Sequence, residues 1–267
     1  MLKMLVCLDS ADMAESRRQE LNIPRERAAA LGRSAVEAAR LGYYLNRAGD
    51  RVDWSEQVRH ACSAKRSVAH DAPLPAVERP SHSETRVQVA NETTLQASRR
   101  LVQAARRPVA LNFANGVHAG GGFLHRVRPQ PDSSDWVIYS PDVPVFRSDD
   151  GAELDSPWLL SFLTSAAPYA PAIGLATSGD LLRRRIHRVL AVASAYGHEA
   201  LVLGAWGCGA FGNDPHRTAA DFRHALETDF RGHFSDVVFA VTDWSPERRT
   251  LGPFRDVFSP AAHTEAQ

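Results

Sequence analysis

Residues 201–215 read LVLGAWGCGAFGNDP, the pattern of a buried strand, a glycine-rich loop and the start of a helix. Asp214 is a good helix N-cap, and Pro215 suits the first helical position, where a missing N–H costs nothing. The glycines allow positive φ angles and let the backbone approach a ligand closely. A loop of this kind presents free N–H groups and a helix N-terminus, which suits a phosphate or pyrophosphate. The alternative is an ordinary strand-to-helix turn.

The segment between the strand and the helix, residues 204–214, is called the glycine loop below. Its residues Gly207, Gly209 and Gly212 match the G-x-G-x-x-G pattern of dinucleotide-binding Rossmann domains. That pattern opens a series of βαβ units and precedes an acidic residue by about 20 positions. Only a helix (215–230) and a strand (237–241) are predicted here, and Asp243 lies too far along the chain. A NAD-dependent oxidoreductase is therefore a minor alternative.

Composition limits the class of protein. The 267 residues suffice for one large domain with a smaller appendage. The 31 basic and 31 acidic residues cancel, which argues against direct binding to nucleic acid or a membrane surface. The N-terminal residues do not form a secretory signal, and no apolar run approaches the ~20 residues of a membrane span. We expect a cytoplasmic protein without a membrane partner.

The three cysteines, Cys7, Cys62 and Cys208, are far apart in the sequence. They predict neither a disulfide framework nor a metal site. Cys208 lies in the glycine loop and could act as a nucleophile. No His or Asp adjoins it, so we favour a small side chain that fills space. We expect no cofactor.

The order of apolar and turn residues predicts an α/β protein with an N-terminal helical appendage. Residues 1–22 lack periodicity and are expected to be a disordered extension. Residues 23–83 predict the appendage and a linker: a helix over 24–42, a hairpin over 43–52, a helix over 55–65 and a proline-containing linker over 70–83. Residues 84–258 predict an α/β domain, and 259–267 a tail. The domain is predicted to contain strands at 86–90, 109–113, 137–145, 158–163, 201–203 and 236–241, and helices at 94–106, 180–196 and 215–230.

A second glycine-rich segment follows the predicted strand that ends near Asn112. Gly120, Gly121 and Gly122 lie on the loop after it. Loops at the carboxyl ends of two strands converge on one crevice of such a sheet, so this segment and the glycine loop are expected to share a ligand. Asn112 and Asn115 offer donors and acceptors that suit ribose hydroxyls. A flexible loop is the alternative reading of the three glycines.

Three stretches resemble a known family: LNFAN-x4-GGGF (111–123), IYSPDVPVF (138–146) and the glycine loop. They look like the bacterial-type poly(ADP-ribose) glycohydrolases, and the likeness extends over roughly 24–254. The resemblance implies a macrodomain-like mixed sheet between helices. It also implies ADP-ribose or poly(ADP-ribose), including polymer on modified proteins, as the partner.

The resemblance also assigns roles within the ligand site. Asn112 and the triple glycine would meet the distal ribose, the glycine loop would cradle the diphosphate, and Phe211 would pack on a ribose. The candidate ligand-binding residues are Asn112, Asn115, Gly120, Gly121, Gly122, Gln130, Gly207, Cys208, Gly209, Ala210, Phe211, Gly212 and Asn213.

The family's catalytic pattern is altered in this chain. In the family, the triple glycine is followed after a short spacer by Gln-Glu-Glu, whose second Glu is the catalytic acid. Here the matching residues are Gln130, Pro131 and Asp132, and the helical stretch that follows in the family is shortened. An Asp carboxyl lies one methylene nearer the backbone, and a misplacement of about 1 Å can cost about 100-fold in rate.

The resemblance therefore predicts a glycohydrolase that cleaves ribose–ribose bonds, with Asp132 as its acid. A non-catalytic ADP-ribose reader, or a remnant that has lost activity, is the alternative.

Overall fold

A mixed sheet forms the centre of the computed structural model, which describes residues 1–76, 81–114 and 134–260. The strands are β1 (Leu2–Met4), β2 (Tyr43–Leu45), β3 (Arg51–Asp53), β4 (Arg66–Val68), β5 (Thr85–Ala90), β6 (Pro108–Ala114), β7 (Val137–Arg147), β8 (Glu153–Ala166), β9 (Ala200–Leu203) and β10 (Asp236–Ala240). The helices are α1 (Ala11–Leu21), α2 (Arg25–Leu41), α3 (Ser55–Ala64), α4 (Thr94–Gln103), α5 (Ala170–Ile173), α6 (Leu175–Ala195), α7 (Pro215–Glu227) and α8 (Leu251–Val257).

Eight of these strands form one sheet in the order β1-β5-β10-β9-β6-β8-β7-β4. The strands from β1 to β8 in this order are parallel, whereas β7 is antiparallel to both β8 and β4. The predicted mixed α/β sheet is therefore confirmed. The central strands β9 and β10 are buried throughout, as expected for parallel strands that helices cover on both faces.

Alternate residues of the central strands enter two separate cores. Leu201, Leu203 and Phe239 belong to the larger core on one face, which also contains the buried residues of α6, α7 and α8. Val202 and Val238 belong to the smaller core, which α4 covers. This alternation follows from the two-residue period of a strand.

The prediction of a disordered segment over residues 1–22 is wrong. β1 pairs in parallel with β5, with Leu2 opposite Thr85, and α1 follows with Ser10 as its N-cap. The pairing satisfies backbone groups of a strand that is too short to show periodicity in the sequence. The eight-stranded sheet thus begins with residues outside the predicted 84–258 domain.

The predicted N-terminal helices and hairpin are present as α2, α3 and the β2–β3 pair. Their aromatic side chains pack on β7, where the ring centroids of Trp54 and Phe146 lie 4.5 Å apart. The sequence did not predict β4, which follows α3 and forms an edge of the main sheet beside β7. The appendage is therefore joined to the sheet by both packing and strand pairing.

Most of the remaining predicted elements are present, with shifted ends. β8 is longer than the predicted 158–163 segment, α6 begins before residue 180, and α5 and α8 were not predicted.

Within the three described ranges, no helix is both long enough and apolar enough to cross a bilayer.

Candidate functional site

The glycine loop begins where β9 lies between β10 and β6. A Cβ on Gly204 would lie 2.9 Å from the carbonyl oxygen of Ala240 on β10 and 3.0 Å from Cζ of Phe113 on β6. A larger residue at Gly204 would force these neighbours apart. The absence of a side chain at Gly204 therefore allows the carboxyl ends of β10, β9 and β6 to lie close together.

The other glycines of the loop have two different roles. Gly207 and Gly212 have φ angles of +77° and +66°, in the left-handed region that favours glycine. A Cβ on Gly207 would also lie 2.6 Å from Nδ2 of Asn213. Gly209 lies outside that region, and no atom of the described residues lies within 4 Å of the place that a Cβ on Gly209 would occupy. Gly207 and Gly212 thus set the shape of the loop, whereas Gly209 keeps a space open.

The backbone of the loop is only partly hydrogen-bonded to itself. The N–H of Cys208 donates to the carbonyl of Ala205, that of Gly212 to Gly209, and that of Asn213 to Gly207. Among the described residues, the N–H groups of Gly209, Ala210 and Phe211 have no hydrogen-bond partner. Successive N–H groups without internal partners are the kind of backbone donor that binds an anion.

Asn213 stabilises the loop through its side chain. It is only 4% exposed, and its Nδ2 donates to the carbonyl oxygens of Pro168 at 2.9 Å and Gly207 at 3.1 Å. Its Oδ1 accepts from the hydroxyl of Ser178 on α6. Both amide N–H groups are occupied within the protein. We therefore assign Asn213, a predicted ligand-binding residue, to positioning the loop.

The predicted start of α7 is confirmed, with Asp214 as N-cap and Pro215 in the first turn. The carboxylate of Asp214 accepts from the N–H groups of His216 and Arg217 at 2.8 and 3.3 Å. The Asp214 carboxylate therefore occupies the helix N-terminus that the sequence suggested as an anion site. The donors that remain for an anion are those of the loop.

Cys208 faces the protein interior at the base of the loop. It packs against the larger core, and its Sγ lies 3.6 Å from the carbonyl oxygen of Trp206. Burial raises the pKa of its thiol to about 11. The thiolate is the nucleophilic form, so this environment opposes a nucleophilic role and agrees with a space-filling one.

Phe211 is half-buried and lies against the segment that follows β8. Its ring is edge-on to Tyr169, with centroids 5.9 Å apart, and its carbonyl accepts from the N–H of Ala170 at 2.9 Å. Two aromatic rings thus stand at the side of the glycine loop. This arrangement is compatible with the ribose-packing role that the resemblance implies.

Asn112 is exposed on β6, two residues before the end of the strand. It lies opposite Thr164 of β8, and its Nδ2 donates to the Thr164 hydroxyl at 3.1 Å. β6 also pairs with β9, with Ala110 opposite Val202, so Asn112 is close to the level of Gly204. Asn112 and the glycine loop therefore lie at one edge of the sheet, as predicted.

Six predicted site residues lie outside the described residues: Asn115, Gly120, Gly121, Gly122, Gln130 and Asp132. The described chain resumes at Ser134, and the next residue, Asp135, is paired with α6. The Nε of Arg185 lies 3.1 Å from Oδ1 of Asp135, and its Nη1 donates to the carbonyl of Ala166 at 2.8 Å. Arg185 is 1% exposed, so this pair fixes the start of β7 against the end of β8.

Sequence reasoning missed Thr164, Tyr169 and Arg185. Arg185 could have been found, because it falls on the apolar stripe of α6 beside Leu182 and Ile186, where a charge needs a buried partner. Thr164 and Tyr169 gave no such signal, because they reach the site only through strand pairing and the β8–α5 turn.

A mixed sheet whose parallel strands end in a glycine loop with free N–H donors among the described residues, with an Asn on the neighbouring strand, is typical of an α/β protein of the macrodomain type. Comparisons with known proteins agree. The sequence model of the microbial-type PARG catalytic domain, where PARG is poly(ADP-ribose) glycohydrolase, matches residues 32–133. No curated protein sequence matches the chain.

Solved structures match most of the chain. The poly(ADP-ribose) glycohydrolase from Thermomonospora curvata is 36% identical; the match covers 86% of this chain and 98% of that chain, with a TM-score of 0.79. The same enzyme bound to the inhibitor ADP-HPD is 35% identical, with the same coverage and a TM-score of 0.76. The enzyme from Deinococcus radiodurans in complex with ADP-ribose is 32% identical, with 78% and 99% coverage and a TM-score of 0.68. The chain therefore belongs to the microbial-type poly(ADP-ribose) glycohydrolase family.

Proposed function

We propose that this protein binds ADP-ribose at the carboxyl edge of the sheet and hydrolyses the ribose–ribose bonds of poly(ADP-ribose) in the cytoplasm. The observation that carries the proposal is the glycine loop, in which the N–H groups of Gly209, Ala210 and Phe211 have no partner among the described residues. The T. curvata relative binds the inhibitor ADP-HPD and the D. radiodurans relative binds ADP-ribose, which supports the same ligand class here.

The loop suits a diphosphate for an electrostatic reason. Backbone N–H groups are fixed partial positive charges, and they bind phosphate oxygens without a basic side chain. This explains how a chain with no net charge can hold an anionic ligand. Asn112, next to the loop at the same sheet edge, would then bind a ribose hydroxyl through its amide.

Cleavage of a ribose–ribose bond needs a proton donor on the leaving oxygen. The transition state resembles an oxocarbenium ion, and water attacks the anomeric carbon. In the proposed mechanism, Asp132 protonates the leaving oxygen, and the glycine loop holds the adjacent diphosphate. Water and a proton donor suffice for this reaction, so we propose no cofactor. Polymer and ADP-ribosylated proteins are the proposed partners, without direct contact to nucleic acid or membrane.

The experiment is release of ADP-ribose from labelled polymer by the parent protein and Asp132→Asn. Asparagine keeps the shape of the side chain but cannot donate a proton, so release should stop while ADP-ribose affinity is kept. Asp71→Asn is the control, because Asp71 is an exposed acid in the predicted linker. Equal turnover by the parent and Asp132→Asn would exclude Asp132 as the acid.

A non-catalytic ADP-ribose reader is the second candidate function. The sequence Gln130-Pro131-Asp132 favours it, because it departs from the family's Gln-Glu-Glu. Both functions require ADP-ribose binding, and only turnover separates them. Binding by the parent protein without any release of ADP-ribose would select the reader.

A further inference from the structure

Trp136 immediately precedes β7, which lies three strands away from β9, where the glycine loop begins. Ile138 and Asn112 both pair with Thr164, from either side of β8, so the start of β7 lies at the same sheet edge as the end of β6. The strand order at this edge is β9, β6, β8, β7. A ligand extending from the glycine loop across Asn112 is therefore directed towards Trp136.

Contacts from three elements hold Trp136 in place. Its indole Nε1 donates to the Ser67 hydroxyl of β4 at 2.7 Å, and its carbonyl accepts from the Ser165 hydroxyl of β8 at 3.1 Å. The preceding residue, Asp135, is paired with Arg185 of α6 at 3.1 Å. The Ser165 and Arg185 contacts thus hold the backbone at this point, and the Ser67 hydrogen bond orients the indole.

Despite these contacts the indole is 45% exposed. Among the described residues, no aromatic ring packs against it. Its only polar atom already has a partner in Ser67, so it presents an apolar π surface that is ordered and partly open. Such a surface suits the face of a nucleobase, because stacking is enhanced on a preorganised aromatic platform. Arg184 is mostly exposed and adds positive charge near Trp136. Its Nε lies 3.6 Å from the carboxylate of Asp135, the residue before Trp136.

The chemistry of the proposed reaction identifies which base would reach Trp136. The proposed acid, Asp132, precedes Trp136 by four residues and acts on the leaving oxygen. In poly(ADP-ribose) the leaving ribose itself carries an adenine, so a base lies next to the bond that breaks. The terminal ADP-ribose unit lies on the other side of the scissile bond, and its diphosphate is assigned to the glycine loop.

We infer that Trp136 is a stacking site for the adenine on the leaving side of the scissile bond, which favours polymer over single ADP-ribose. This inference rests on the proposed function. It also gives the N-terminal appendage a role in the site, because the appendage supplies Ser67 on β4, which orients the indole. Trp136 acts on affinity for the leaving unit and takes no part in proton transfer.

The test compares two ligands, ADP-ribose and its two-unit oligomer, by calorimetric titration in the Asp132→Asn background. Chromatography after each titration verifies that the oligomer is intact. Trp136→Ala should weaken oligomer binding by about fivefold or more and leave ADP-ribose binding unchanged, because base stacking on an aromatic residue contributes that much affinity. Trp136→Phe should retain most of the affinity, since it keeps a π face.

Leu45→Ala is the matched control, because Leu45 is 56% exposed on the β2–β3 hairpin and is assigned no ligand. It should change neither affinity. ADP-ribose binding by each variant also verifies that it is folded. Oligomer affinity unchanged by Trp136→Ala, or an equal loss for both ligands, would overturn the inference and leave ADP-ribose binding intact. Failure of the parent to bind ADP-ribose would instead refute the proposed function.

Discussion

Two glycines of the same loop should respond in opposite ways to substitution. We expect Gly207→Ala to lower stability and Gly209→Val to lower ADP-ribose affinity with little change in stability. Gly207 has φ +77° and Gly209 lies outside the left-handed region. A Cβ on Gly207 would meet Asn213, whereas one on Gly209 would enter open space.

The expected loss for Gly207→Ala has two parts. A left-handed conformation costs a residue with a Cβ roughly 1–2 kcal/mol. The new Cβ would also displace Nδ2 of Asn213, which donates two hydrogen bonds worth about 0.5–1.5 kcal/mol each. A total of about 2–5 kcal/mol corresponds to a fall in Tm of roughly 4–20 °C for a domain of this size. An exposed substitution without strain, such as Gly209→Val, usually stays within about 0.5 kcal/mol.

Thermal unfolding and ADP-ribose titration of the parent and both variants provide the assay. Gly209→Val should bind at least about tenfold more weakly, a loss of about 1.4 kcal/mol, because its side chain occupies the space proposed for the phosphate. The reasoning is refuted if Gly209→Val binds as tightly as the parent protein, since the phosphate then lies elsewhere. An unchanged Tm for Gly207→Ala would show that the loop relaxes without cost.

Three further outcomes are expected. Asn213→Ala should lower the free energy of unfolding by about 1–3 kcal/mol in denaturant titration, because the buried Pro168 carbonyl loses its Asn213 donor and the Ser178 hydroxyl loses its acceptor; Ser178→Ala should cost less. Alkylation at pH 8, mapped by mass spectrometry, should modify the exposed Cys62 much faster than Cys208, because a thiol pKa of about 11 keeps Cys208 protonated. Equal rates would contradict the buried environment of the Cys208 thiol. Burial lowers the pKa of His198 below its ordinary value of about 6.5. The neutral imidazole therefore stabilises the fold fully above that pH, and this stabilisation is lost as the pH falls. Between pH 7 and 5, the free energy of unfolding should fall less for His198→Gln than for the parent protein.

Local chemistry allowed much of the fold to be predicted from the sequence. Asp214 and Pro215 correctly placed the start of α7, and Thr93 caps α4 through a capping box with Gln96. Such features depend on residues close together in the sequence. β1 depends instead on pairing with β5 more than 80 residues away, and a three-residue strand carries too little pattern to predict.

The site was less predictable than the fold, because the direction of a side chain depends on distant partners. The sequence placed Asn213 in the glycine loop but could not show that its amide binds Pro168 and Ser178. The loop glycines were predicted both to adopt a positive φ and to leave space for a ligand, and Gly209 does only the second among the described residues. The anchor of Trp136 on Ser67 joins residues 69 positions apart, a contact that no local motif encodes.

Calorimetric titration of the parent protein with ADP-ribose, beside a matched titration with NAD, tests the central claim most directly. We expect one ADP-ribose per chain and weaker or no binding of NAD. NAD has the same diphosphate and distal ribose, but it carries a nicotinamide on the anomeric carbon of the ribose that is assigned to Asn112, where ADP-ribose has a hydroxyl. Gly209→Val should abolish or greatly weaken the ADP-ribose signal in the same experiment. Absence of binding by the parent at millimolar ADP-ribose, or equal binding of NAD, would contradict the account.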